Sequence, residues 1–314
     1  MDMVPFEMPP QKMTLWKLTL AYDGTPYHGW QIQPGLPTVQ GVLAEAIEQV
    51  TSECVLPQGS GRTDAGVHAL GQVASFPLSV PIPAANLHRA LNHALPASIR
   101  VLAAEPAPSG FHARHSAIRK TYEYRIFPLK GSPDAPSFPC VGEKPVPERI
   151  CPPILAPFVW PCRWPLSLET LSQTAAQILG THDFTSFAAS DPDLTTRSTH
   201  LPMTDNDCHS DPERREGKEP PRFARAADNL RTIHHSQWHA HGDLLIYTVT
   251  GSGFLHHMVR NLVGTFVQAG AHRLSPGTIP ALLAARNRAA AGPTAPPSGL
   301  FLRNVTYPEA VELL

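Results

Sequence analysis

The sequence predicts an α+β protein built from two halves of related pattern. Three observations lead there. Residues 14–104 read as strand, helix, loop, strand, helix, strand. Residues 120–307 alternate in a similar way. The composition suits a packed globule: of 314 residues, 42% are hydrophobic, enough for a core, and only 16% are charged, which excludes wholesale disorder.

The first strand is expected at Thr14 to Tyr22, where Leu15, Leu18, Leu20 and Tyr22 are apolar with polar neighbours between. Thr38 to Val50 follows as a helix. Thr38 suits the N-cap, and Val42, Leu43, Ala46, Ile47 and Val50 form an apolar stripe. After the glycine-rich run come a strand at Gln72 to Phe76, a helix at Pro83 to Leu95 and a strand at Ile99 to Ala104. In the second half, Lys120 to Phe127 reads as a strand and Ser167 to Leu179 as an amphipathic helix capped by Ser167. Ile233 to His239 and Leu244 to Thr250 form a strand pair turning at His241, Gly242 and Asp243. A strongly apolar helix, Phe254 to Ala269, a short helix, Pro276 to Ala285, and a closing strand, Gly299 to Tyr307, complete the half.

Two stretches break this order. Residues 129–165 are proline-rich and carry Trp160 and Trp164, a long connection packed through its aromatics. Residues 204–228 are polar, charged and nearly free of aliphatic side chains, which predicts a disordered insertion. The resulting division is a disordered N-terminal tail (1–13), an N-terminal half (14–114) and a C-terminal half (115–314) containing the insertion.

The formal net charge of −1 excludes a globally basic nucleic-acid binder but not a local basic face. No stretch of about eighteen apolar residues exists, so no transmembrane helix is expected, and the N-terminus lacks the pattern of a signal peptide. A soluble cytoplasmic protein is the default. Cys140, Cys151 and Cys162 invite a zinc reading, but none of the five cysteines forms a C-x-x-C pair. Free thiols in a reducing compartment are the simpler expectation.

The chemistry concentrates in Gly59-Ser60-Gly61-Arg62-Thr63-Asp64-Ala65-Gly66-Val67-His68. Glycine permits sharp turns and close approach of a bulky ligand. Such a loop can present Arg62 and Asp64 at the mouth of a cleft. A carboxylate beside a cation is favoured in its charged form, which suits a nucleophile or a charge stabiliser better than a general acid. A tight turn with a surface Arg–Asp pair is the plain alternative.

This run closely resembles the signature of the TruA family of tRNA pseudouridine synthases. Further segments match in order: Tyr22-Asp23-Gly24-Thr25-Pro26-Tyr27-His28-Gly29-Trp30-Gln31, Arg119-Lys120-Thr121-Tyr122-Glu123-Tyr124, Gly180-Thr181-His182-Asp183-Phe184, Gly251 to Arg260 with Asn261 and Gly264, and Pro297-Ser298-Gly299-Leu300. The resemblance runs from about Leu15 to Tyr307. It implies two ferredoxin-like halves whose sheets join across a central active-site cleft, the pseudouridine synthase fold. It also implies isomerisation of uridine to pseudouridine at tRNA positions 38, 39 and 40 in the anticodon arm, no cofactor, no metal, and a homodimer that holds tRNA with both subunits. The sequence departs from the family where Ser198 or Thr195 stands apart from Arg231-Thr232-Ile233 across the charged insertion, and where Ala188-Ala189-Ser190-Asp191 follows the His-Asp-Phe turn.

The resemblance assigns Asp64 as nucleophile and Tyr122 as the ring that stacks on the extruded uracil. Leu300, in the closing motif, joins the substrate-binding set. Arg260 lies on an otherwise apolar helix, where a lone charge is costly, and Asp64 is its natural partner. Arg62 is assigned to a backbone phosphate of the extruded nucleotide or to holding it open. His68 is expected either to contact RNA or to be a satisfied structural histidine. His256 and His257, adjacent on the expected helix, should point to different sides, which argues against joint metal binding. His112, Arg114, His115, Arg119 and Lys120 form a basic cluster suited to phosphate. The competing readings are a non-catalytic tRNA-binding or chaperone protein of the same fold and an Asp/His hydrolase using Asp64 and His68.

Overall fold

The structure, a computed structural model, describes residues 13–131, 149–189 and 229–308. The expected insertion at 204–228 and all of the expected tail except Met13 lie outside them, as do Ser198 and Thr195. The order of elements in the first half is β1 (Thr14–Tyr22), α1 (Val39–Thr51), β2 (Gln58–Gly59), β3 (His68–Leu78), α2 (Ala84–Ala94) and β4 (Ile99–Pro106). The second half runs β5 (Arg119–Pro128), β6 (Trp160–Cys162), α3 (Leu168–Ala176), β7 (Gly180–Asp183), β8 (Leu230–His241), β9 (Leu244–Gly251), α4 (Met258–Gly270), α5 (Ile279–Ala285) and β10 (Leu300–Thr306).

Local chemistry explains the boundaries. Thr38 caps α1, its side chain accepting from the Gly41 amide, and Ser52 closes the helix in the left-handed region. Ser167 caps α3 by accepting from the Thr170 amide. The stripe on α1 buries Leu43, Ala46 and Ile47. β1 alternates strictly, burying Trp16, Leu18, Leu20 and Tyr22.

The ten strands among the described residues form one sheet in the order β4-β1-β3-β10-β5-β9-β8-β7, with β2 added to β3 and β6 to β5. Each half follows the same plan. In the first, β1-α1-β2-β3-α2-β4 gives neighbours β4-β1-β3-β2; in the second, β5-α3-β8-β9-α4-β10 gives β10-β5-β9-β8. This is the ferredoxin-like arrangement twice over, in a mostly antiparallel α+β fold. α2 packs on β4, α1 on α2, and α3 on both β8 and α4.

The junction positions the site. β3 is longer than its apolar core suggested, starting at His68 rather than Gln72. One end of it pairs with β2 through Ser75 and Ala74. The other end takes β10 in parallel register, Phe301 opposite His68 and Leu302 opposite Ala69. The connection from β2 to β3 is the Asp64 loop, so this loop stands where the last strand of the second half enters the first.

Four expectations shift. Gly180 to Asp183 is an edge strand paired with Leu230 to Ile233, not merely a turn. Within the proline-rich stretch, Trp160 to Cys162 pairs with Ile126 to Pro128, and Trp160 meets Tyr124 and Trp164 edge-on. The apolar helix begins at Met258, not Phe254, because His257 adopts φ 58° and serves as its N-cap. Cys151 and Cys162 are free, whereas Cys54 is disulfide-bonded, against the expectation of free thiols.

Candidate active site

The Asp64 loop is built by close backbone approach. Trp30 N–H donates to the Thr63 carbonyl at 3.0 Å, Gly66 N–H to the Tyr27 carbonyl at 3.3 Å, and Val67 N–H to the Asp64 carbonyl at 3.1 Å. The Tyr22 and Thr63 hydroxyls meet at 2.9 Å in the interior. Gly29 has φ 89°, and a β-carbon there would stand 2.4 Å from the Thr63 oxygen. The segment 22–31 is thus a clamp on the loop. From the other side, the Ser60 hydroxyl donates to Gln72 Oε1 at 2.6 Å, and Gln72 Nε2 donates to the Gly61 carbonyl at 2.9 Å.

A half-buried cation completes the support. Lys120 Nζ donates to the Ser60 carbonyl at 2.5 Å, and a β-carbon on Gly61 would stand 3.0 Å from it. Burial pulls its pKa down to about 8, and the charges of Arg114 and Arg231 push it the same way. Lys120 therefore holds the loop rather than lining a solvated phosphate surface. The strand parity that puts Tyr122, Tyr124 and Ile126 on the buried face includes Lys120, which was the available signal.

Asp64 is reached from the second half. Arg260 Nη1 donates to Asp64 Oδ2 at 2.8 Å, and its Nε donates to the Ala295 carbonyl at 2.8 Å. The guanidinium is 13% exposed and the carboxylate 23%, so the pair sits at a cleft wall with one side open. The Arg260 carbonyl accepts from Ala295 N–H, and a β-carbon on Gly264 would lie 1.7 Å from the Pro293 oxygen. The glycine lets segment 293–295 cross α4 at contact distance, which fixes Arg260 from both its ends.

The two histidines overturn the argument from helical geometry. With His257 left-handed before the first turn, both rings swing to the carboxylate. His257 Nε2 stands 3.3 Å from Asp64 Oδ2 and His256 Nε2 3.6 Å from Oδ1. The rings lie against each other with centroids 3.9 Å apart. The three ligand atoms lie within 4.8 Å of one another, the one such group of three among the described residues. Burial lowers the His257 pKa; Asp64 opposes the shift, while His256, Arg260 and Arg288 add to it.

Tyr122 is buried, pairs with Leu302 and Val249 across the sheet, and meets Phe254 edge-on with centroids 5.0 Å apart. Burial raises its hydroxyl pKa, as do Tyr22 and the nearby charge of Asp64. Tyr122 thus stays a neutral ring beside the carboxylate. Leu300 is buried opposite Tyr124, in a strand that backs the site. Arg62 is exposed on the loop.

His68 is placed otherwise than an RNA contact requires. It is 1% exposed, accepts from Gly24 N–H at Nδ1 and lies 3.0 Å from the Pro157 carbonyl at Nε2. Its ring stacks on Phe301 at 4.7 Å. With Nδ1 accepting, Nε2 carries the proton and donates to Pro157, so both nitrogens are used within the protein. Burial lowers its pKa, against the opposing pull of Asp23. His68 is the satisfied structural histidine at the β3–β10 seam.

A glycine-clamped carboxylate, an arginine brought to it from the second half of the sheet and a neutral tyrosine beside it agree with the comparisons. The model of the tRNA pseudouridine synthase family matches residues 19–116 and 221–308, and the chain belongs to that family. Among curated relatives, it is similar to the tRNA pseudouridine synthase A of Solibacter usitatus, 39% identical over 93% of this chain and 98% of the relative. The tRNA pseudouridine synthase A of Moorella thermoacetica is 38% identical over 94% of this chain and all of the relative. That of Bacillus subtilis is 35% identical over 93% and 98%. Among the described residues, no helix is long and apolar enough to cross a membrane.

Proposed function

We propose that this protein isomerises uridine to pseudouridine in tRNA, at positions 38, 39 and 40 of the anticodon stem-loop, with Asp64 as the nucleophile. The observation that carries the reading is the convergence of Asp64 and Arg260 at 2.8 Å beside Tyr122, three residues far apart in the chain. Family membership supports the reaction and the RNA class. The geometry supports the assignment of roles.

The reaction breaks the N1–C1′ bond, turns the base and joins C5 to C1′. The proton on C5 leaves and N1 gains one, so the product is an isomer and the balance closes without an external reactant. A paired base must first be extruded from its stack. Arg62, exposed on the loop, engages a backbone phosphate of the extruded nucleotide, and Arg114 and Arg231 add positive charge around the Ser60 end. Tyr122 covers the base. Asp64 adds to the sugar or the base and is released when the C–C bond has formed. Arg260 keeps the carboxylate aimed throughout.

The chain works as a homodimer in the cytoplasm, with tRNA bound across both subunits; family membership is the support for this, and the sedimentation of the purified protein is its check. The boundary between halves at 114/115 belongs to the same proposal, with β10 tying the two together. The reaction is tested by incubating the purified protein with an anticodon-arm transcript and mapping pseudouridine chemically. Product at the three positions, lost in Asp64→Ala with tRNA binding retained, is expected. Binding by the wild type without product would favour the non-catalytic tRNA-binding reading and overturn this one.

A further inference from the structure

The convergence of two imidazoles on Asp64 has a use beyond RNA. We propose that Asp64, His256 and His257 form an inhibitory site for a borderline divalent transition metal such as Zn²⁺, Ni²⁺ or Co²⁺, which occludes the catalytic carboxylate.

The geometry is close to that of a metal site. In a tetrahedral zinc centre with bonds of about 2.0–2.1 Å, neighbouring ligand atoms stand roughly 3.3–3.4 Å apart. His257 Nε2 stands 3.3 Å from Asp64 Oδ2 and His256 Nε2 3.6 Å from Asp64 Oδ1, each imidazole close to that spacing from its own carboxylate oxygen. One ligand atom from each of the three residues lies within 4.8 Å of the other two, and side-chain rotation closes the set around an ion. The side chains of His256, His257 and Asp64 are 30%, 27% and 23% exposed, so an ion can enter and a water can take the fourth position.

The backbone makes this possible. Adjacent residues on a helix diverge by about 100°, which would part the two rings. The left-handed His257 stands before the helix and removes that divergence. Arg260 already holds Asp64 Oδ2, but a carboxylate has two oxygens and about four lone-pair sites, so it can carry both partners. The guanidinium weakens the site without closing it. Two nitrogens and one oxygen select borderline metals over Mg²⁺, which demands oxygen donors in octahedral array. The magnesium that folds RNA therefore leaves the site alone. An occupied site covers Asp64 and competes with the target uridine.

Binding is read first without RNA, so its outcome is independent of the proposed reaction. The purified full chain is titrated with cobalt chloride, and visible absorption is recorded. Intense d–d bands of low-coordinate cobalt are expected, and Zn²⁺ should abolish them while excess Mg²⁺ does not. Asp64→Asn, His256→Asn and His257→Asn should each weaken binding by at least the roughly 10–100-fold that loss of an outer-shell partner costs. Circular dichroism and thermal unfolding of each variant identify those that fail to fold; folded variants decide the matter. Absence of the bands in the wild type, or their survival in the folded variants, would overturn the proposal. In the pseudouridine assay, Zn²⁺ should raise the apparent KM for tRNA with kcat unchanged, reversibly by chelation. Binding without such competition would overturn the inhibitory role.

Discussion

Arg260 and Asp64, 196 positions apart in the chain, meet at 2.8 Å and join the two halves of the sheet through one ion pair. The second anchor of Arg260, the Ala295 carbonyl, means that the guanidinium is aimed and not merely nearby. Arg260→Lys keeps the charge but cannot span both acceptors. We expect kcat to fall by roughly 100-fold or more, the scale of a misplaced reactive group, with a much smaller change in tRNA affinity. Single-turnover kinetics and filter binding on the same preparations check this.

Lys120 sets the height of the loop that carries Asp64. Lys120→Met fills similar space and removes the bond to the Ser60 carbonyl, and roughly tenfold loss of kcat is expected. The pH dependence of stability has a definite sign. The folded pKa, about 8, lies below the ordinary 10.5, so between them the unfolded chain binds more protons. The stability of the wild type relative to Lys120→Met should therefore rise from pH 8 toward 10.5. Paired thermal melts across that range measure it, and a falling difference would contradict the account of a partly desolvated ammonium.

Gly29→Ala tests the clamp. The new methyl would stand 2.4 Å from the Thr63 oxygen at φ 89°. A destabilisation of about 1–3 kcal/mol and a larger loss of kcat than of global stability are expected, because the strain falls on the loop itself. Denaturant midpoints compared with turnover separate the two effects.

Arg62→Ala tests phosphate contact. Binding should weaken, and the slope of log affinity against log salt should fall by about one contact. A slope unchanged from wild type would remove Arg62 from the phosphate set.

The legibility of this site in the sequence followed the reach of local rules. Apolar alternation and capping located β1, α1 and α3 within a few residues, since those signals act within one turn or one strand. The cost of a lone charge on an apolar helix pointed from Arg260 to a distant acid, and the resemblance had already singled out Asp64. What escaped was set by long-range pairing or by one dihedral. The first residues of β3 gain their strand character from β10, which periodicity around Gln72 does not show. The convergence of His256 and His257 depends on a single left-handed residue that is not glycine. His68 sits in the signature run yet serves the seam, because a motif records both the residues that react and those that hold them.

The position of β10 between β3 and β5 also constrains how the protein is made. A nascent chain emerging N-terminus first can assemble the four strands of the first half early, Asp64 loop included. The edge of β3 beside that loop stays unpaired until residues 300–306 have been synthesised and threaded into the gap. Arg260 arrives only shortly before. A ribosome-bound intermediate therefore carries a carboxylate without its partner, and competence appears late and all at once, with the insertion of a single strand as its final act.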